Sequence, residues 1–169
     1  MHANRFALNM HDDPEDSVPR LYRTYGSLWA MRDRPLHMRI VSHDFPWVID
    51  IKVADSPDGS ERGITCGDVW SQLYSELLEP IHDSDWAHLT NLATRDAGAR
   101  QRHQHLIRVA RRQVSRGEDV SLVRLDWLMT KTVFVGLEKD EGYSLAAQRL
   151  LPGKERCDET WVAYFSEAR

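Results

Sequence analysis

Trp47-Val48-Ile49-Asp50-Ile51-Lys52-Val53 alternates from side to side: Trp47, Ile49, Ile51 and Val53 fall on one face, Asp50 and Lys52 on the other, with Val48 the exception. A period of two marks a strand with one buried face. The pattern then changes. Thr65 is followed three residues later by Asp68, a short form of the capping box in which hydroxyl and carboxylate each accept from an amide of the first turn. Val69, Leu73 and Leu77, with Trp70, Tyr74 and Ile81, repeat at helical spacing, and Pro80 lies near the end. A strand with one apolar face, followed by a helix with one apolar stripe, implies a sheet backed by helices.

Upstream, Met38-Arg39-Ile40-Val41 predicts a short strand, joined to the first through a turn at His43-Asp44-Phe45-Pro46. Ser56-Pro57-Asp58-Gly59-Ser60 reads as a longer loop. Residues 11–20, acidic with two prolines, predict a flexible lead-in over residues 1–20, and Tyr22, Tyr25 and Trp29 predict that the chain enters the core from residue 21.

Downstream, Ser84 is positioned to cap a short helix containing Trp86 and Leu89. A long helix is expected from Ala97 to Arg116, stopped by Gly117, with Ala99, His103, Leu106, Ile107, Ala110 and Val114 as its buried stripe. Leu122 to Leu128 fits a strand or a helical turn. Thr132 to Leu137 predicts a strand, residues 138–142 a turn, and Tyr143 to Leu150 a strand pairing back with Tyr143, Leu145 and Ala147 inward. Trp161 to Phe165 supplies a last strand. Strands, then helices, then strands favour an α+β single domain over residues 21–169, with an antiparallel or mixed sheet of about four to six strands and two to three helices on one face.

The chain has 169 residues, 41% of them hydrophobic, and six tryptophans, enough for a core without disulfides or a structural metal. Its net charge of -4 argues against a surface given over wholly to nucleic acid. Two cysteines make no disulfide framework, the first eight residues have no signal-like apolar run, and nothing approaches the roughly 18 apolar residues of a membrane span. The expected location is cytoplasmic or nuclear, with no membrane association.

Several stretches in order carry a resemblance: Leu28-Trp29, Phe45-Pro46-Trp47-Val48-Ile49, Ile64-Thr65-Cys66-Gly67-Asp68-Val69, the arginine-rich helix, Val123-Arg124-Leu125-Asp126-Trp127-Leu128, and Phe134-Val135-Gly136-Leu137. Together they resemble a large fungal domain family, found mainly in mushroom-forming basidiomycetes, whose members are domains of unknown function. The resemblance spans about Ser27 to Leu150 and implies a fungal, soluble, single-domain protein, with no catalytic residues to carry across. Trp29 is followed here by Ala30, where the family more often has an aspartate.

Charge is the strongest local feature. Between Arg95 and Arg116 stand seven arginines and one acid, Asp96. At about 100° per residue, Gln101, His105, Arg108, Arg112 and Arg116 line the outer face, opposite the apolar stripe. Guanidinium groups suit bidentate contact with carboxylate or phosphate. The competing reading is a solvated face whose cations complement the helix dipole and pair with acids of the same chain. Arg100, which is placed to hold an anion, and Arg124 complete the candidate binding set. Arg124 and Asp126, two apart, would share a face and pair on a strand.

Candidate chemical groups are Cys66, His103, His105 and Asp126. Cys66 sits in the first turn of a helix, where amides and the dipole lower a thiol pKa, although a space-filling role competes. His103 and His105 lie about 200° apart on a helix and do not share an ion. No metal site and no cofactor are expected, and no Gly-rich phosphate loop, G-x-S-x-G, H-E-x-x-H or Cys-x-x-Cys occurs.

These observations favour a binding module presenting the arginine-rich helix to an acidic protein segment. An enzyme acting on a small aromatic or anionic metabolite, using His103, His105 and Asp126, is the second reading. Nucleic-acid binding is the third, and predicts affinity that falls steeply with salt.

Overall fold

The computed structural model describes residues 7–53, 63–149 and 156–168. Among them, β1 (Leu8–Asn9), β2 (His37–Ser42), β3 (Ile49–Lys52), β4 (Val133–Glu138) and β5 (Thr160–Ser166) form one mixed sheet in the order β1-β4-β5-β2-β3. Neighbours are antiparallel except β2 and β5, which run parallel with Ile40 opposite Trp161 and Val41 opposite Val162. A parallel pair needs a long crossover, and the helical region between these strands supplies it. The α+β class expected from the sequence is the one observed.

Alternation sorts the side chains onto two faces. Met38, Ile40, Ile49, Ile51, Phe134, Ala163 and Phe165 join one apolar core with Val69, Trp70, Leu73 and Leu77 of α3 (Cys66–Leu77). The helix starts as its sequence demands: Thr65 Oγ1 accepts from the Asp68 amide at 3.1 Å, and Asp68 accepts from the Thr65 amide at 2.8 Å. Two further helices extend this layer, α4 (Asp83–Arg95) and α5 (Ala97–Ser115), which send Leu89 and Leu106 into the core. Val41 and Val162 point to the opposite face of the sheet.

Three local expectations change, and one left open is decided. Of residues 1–20, read as a flexible lead-in, the described part carries β1, the short helix α1 (Pro14–Ser17) and the start of α2 (Pro19–Tyr25). Leu8 and Met10 are 1% and 0% exposed, and Leu8 pairs with Phe134. The prolines start these helices, where a missing amide costs nothing. Second, residues 143–150 do not form a strand; residues 141–149 form α6 (Glu141–Arg149) instead, and β4 pairs with β5 in their place. Asp140 accepts from the Tyr143 amide at 2.9 Å in the manner of a helix cap. Tyr143 reaches the Ser42 carbonyl at 2.6 Å and stacks on His43. The side chain of Leu145, and residue 150, lie outside the described residues, as do the loop at Ser56–Ser60 and the tail segment 151–155.

Third, α4 is 13 residues long rather than short, and Ser84 lies inside its first turn. The Asp85 carboxylate accepts from the His82 amide at 3.3 Å. Leu122 to Leu128, read as a strand or a helical turn, takes the second form, a 3-10 helix at Arg124–Leu128. Asp126 starts it by accepting from the Val123 amide at 2.9 Å.

Candidate interaction face

α4 and α5 form a tight helical hairpin around Asp96, whose carboxylate accepts from the Ala99 amide at 2.6 Å. Gly117, at φ +73°, ends α5 in the left-handed region that favours glycine. Ala99 and Leu106 are buried, which fixes the rotation of α5 and turns its arginines other than Arg102 outward. Arg95, Arg100, Arg108, Arg111, Arg112 and Arg116 are all exposed. None has a carboxylate within 4.0 Å among the described residues. Arg100 Nε donates to the Ala93 carbonyl at 3.1 Å and Arg108 Nε to the Gln104 carbonyl at 3.3 Å, so two of these side chains are steadied by backbone without losing their charge.

Arg102 within this run and Arg124 beyond it are committed internally, as Arg39 is to Asp50 at 2.7 Å. Arg102 bonds the buried Asp44 at 3.0 Å, and Lys131 reaches the same carboxylate oxygen at 2.9 Å. Arg124, expected among the binding residues, turns inward: Nη1 lies 2.7 Å from Glu76, Nη2 lies 3.6 Å from Asp85, and its guanidinium covers the Trp47 ring at 5.5 Å. Asp85 also accepts from Trp47 Nε1 at 3.2 Å. Arg124 therefore ties α3, α4 and the 3-10 helix together, and its expected pair with Asp126 is replaced by these contacts. A 3-10 turn does not keep residues two apart on one face as a strand does.

The candidate acid–base groups are not gathered. His103 faces α4, with its ring 4.9 Å from Trp86 and Nε2 3.2 Å from Thr90 Oγ1. His105, expected on the outer face with the arginines, is instead partly buried and within electrostatic reach of Asp126 in the 3-10 helix. Burial first, then the Arg108 guanidinium, push its pKa below the ordinary histidine value; Asp126 pulls it up and Arg112 adds to the lowering. Asp126 is occupied as a cap. Cys66 does not behave as a helix-start thiolate: burial raises its pKa and outweighs the lowering by its backbone hydrogen bond. Its sulfur lies 4.0 Å from the Trp29 carbonyl. Among the described residues no group of three or more His, Cys, Asp or Glu side chains is arranged to hold a metal, and no helix is long and apolar enough to cross a membrane.

Sequence reasoning missed an apolar groove of about 420 Å³ beside the arginines, lined by Trp86, Ile107, Ala110, Arg111, Val114 and Ser115. The last turns of α5, at 19 residues, outrun the 13 residues of α4, so Val114, expected in the buried stripe, is 62% exposed. The mismatch in length was the available signal.

Comparison with curated proteins and with solved structures gives no match. A family model covers residues 5–144, a span that reaches back through the acidic N-terminal stretch and takes in β1, α1 and α2. On that match, the chain belongs to a family of unknown function, DUF6699.

Proposed function

We propose that this chain is a binding module whose α5 arginine face docks an acidic segment of a partner protein. One observation carries the reading: six arginines between Arg95 and Arg116 are exposed and have no carboxylate partner among the described residues, on a chain whose net charge is -4. Self-neutralisation is the ordinary fate of surface charge, and between Arg95 and Arg116 it is confined, among the described residues, to Arg102. Like charges on one helix face destabilise it slightly. Six uncompensated guanidinium groups are a standing cost that an acidic partner relieves, and they steer its approach.

An acidic protein is favoured over nucleic acid because, among the described residues, no exposed aromatic side chain accompanies the arginines on the outer face. The enzyme reading asks for His103, His105 and Asp126 around a common point, and these groups diverge. Two free cysteines accord with cytosol or nucleus, and the order of sequence motifs supports a fungal source.

The test is capture of partners from extract by wild type and by an Arg108→Glu/Arg112→Glu variant shown to be folded by circular dichroism. The proposal predicts that the proteins lost by the variant share acidic segments, and that trimming those segments abolishes capture by wild type. An unchanged set of captured proteins overturns it. Loss restricted to nucleic acid moves the face to the nucleic-acid reading.

A further inference from the structure

The groove between α4 and α5 sits on the flank of the arginine face, and its lining is apolar apart from the Arg111 and Ser115 side chains. Trp86 forms one wall and is held there by the His103 ring, which Thr90 in turn fixes. Ile107, Ala110 and Val114 form the other wall at i, i+3 and i+7, one face of α5. Arg111 stands on the rim, and Arg108 follows it around the helix, both exposed and without a carboxylate partner among the described residues. The apolar surface and the cations thus form one continuous strip: a lane for an apolar side chain beside a lane for carboxylates.

We infer that the acidic partner is an amphipathic helix that seats a large aliphatic side chain in the α4–α5 groove while its carboxylates meet Arg108, Arg111 and Arg112. The inference rests on the proposed docking of an acidic segment and adds the apolar anchor that gives that docking its register. Charge complementarity selects this occupant. A second copy of the chain, docked about a two-fold axis, would set the same arginines against each other, because an isologous interface pairs a patch with itself. A basic amphipathic helix would meet the same repulsion. A helix between two helices also matches the groove-binding mode read at i, i+3 and i+4 positions.

The probes are three labelled helical peptides of about 16 residues, a length at which designed helices form. One carries a glutamate flank and a leucine stripe, the second the same flank with alanine in the stripe, the third a lysine flank with the leucine stripe. Binding is read by anisotropy, with tryptophan fluorescence of wild type and Trp86→Phe as a local reporter. The acidic leucine peptide is expected to bind about tenfold more tightly than the acidic alanine peptide, the effect of burying one leucine. Val114→Asn, neutral and at an exposed position, removes that difference and leaves the alanine peptide's affinity unchanged. Arg108→Glu/Arg112→Glu weakens both acidic peptides.

Equal binding of the two acidic peptides by wild type, with both lost in the arginine variant, overturns the anchor and leaves the docking of an acidic segment standing. Failure of both acidic peptides to bind overturns both. Binding of the lysine peptide as tight as that of its acidic counterpart assigns the groove to unselective apolar contact and also overturns the inference. So does a concentration-dependent dimer, seen by sedimentation, that Val114→Asn dissolves, since the groove's occupant would then be a second copy.

Discussion

Replacing Arg124 by methionine separates the scaffold from the docking face. The arginine side chain is 18% exposed, with Nη1 2.7 Å from Glu76 and Nη2 3.6 Å from Asp85. Its Nε is buried without an acceptor, which lowers the net worth of the arrangement without lowering the cost of removing it. Methionine keeps the apolar stem over Trp47 and strands the two carboxylates. Breaking a fully buried pair costs about 3–5 kcal/mol; Glu76 is 29% exposed, so water recovers part of that and roughly 2 kcal/mol remains. With a urea slope of about 2 kcal/mol per molar, the unfolding midpoint drops by about 1 M with the slope unchanged. Adding Glu76→Gln to Arg124→Met removes one stranded charge and recovers part of the loss. Affinity for an acidic peptide stays at the wild-type value. A midpoint shift below about 0.3 M, or a large loss of peptide affinity, would refute the internal role and return Arg124 to the binding face.

Further outcomes concern His105, Gly117 and Cys66. His105 has a folded pKa below its unfolded value, so its contribution to stability is present above the unfolded pKa of about 6.5 and is lost as pH falls from there through the folded value. Its ring-proton titration should show a depressed midpoint, raised by Arg108→Ala, and His105→Gln should flatten the stability profile in that acidic window; a midpoint at or above 6.5 contradicts the assignment. Gly117→Ala forces φ +73° on a residue with a Cβ and should cost about 1 kcal/mol, lowering the thermal midpoint by about 2–4 °C; an unchanged melt would show that α5 ends another way. Cys66 should alkylate more slowly with iodoacetamide at pH 8 than free cysteine does, read by mass spectrometry; faster labelling would restore it as a nucleophile.

Periodicity and caps carried most of the fold. Thr65 and Asp68 announced α3, and Gly117 announced the end of α5, because these signals are local and their partners lie within a turn. The errors fell where a distant partner decides. Residues 143–149 alternate well enough to pass for a strand, yet Asp140 caps a helix and β5 takes the place beside β4. Leu8 and Met10 look like a tail until β4 pairs with Leu8 and the Thr132 carbonyl accepts from the Met10 amide. The site was half legible. A helical wheel predicts that Arg108 and Arg112 face out, since that requires only the rotation set by Leu106. It does not predict that Arg124 would find Glu76, 48 positions away in sequence, or that α4 would stop short of Val114 and open a groove.

The central claim is that charge on the outer face of α5 selects an acidic partner, and a reciprocal charge exchange tests it most directly. Affinities are measured at low and physiological salt for a glutamate-flanked and a lysine-flanked peptide, each against wild type and Arg108→Glu/Arg112→Glu. The account predicts that wild type prefers the glutamate peptide to the lysine peptide, that the variant weakens or loses that preference, and that the wild-type affinity for the glutamate peptide falls as salt rises. Equal binding of the glutamate peptide by both proteins would contradict it.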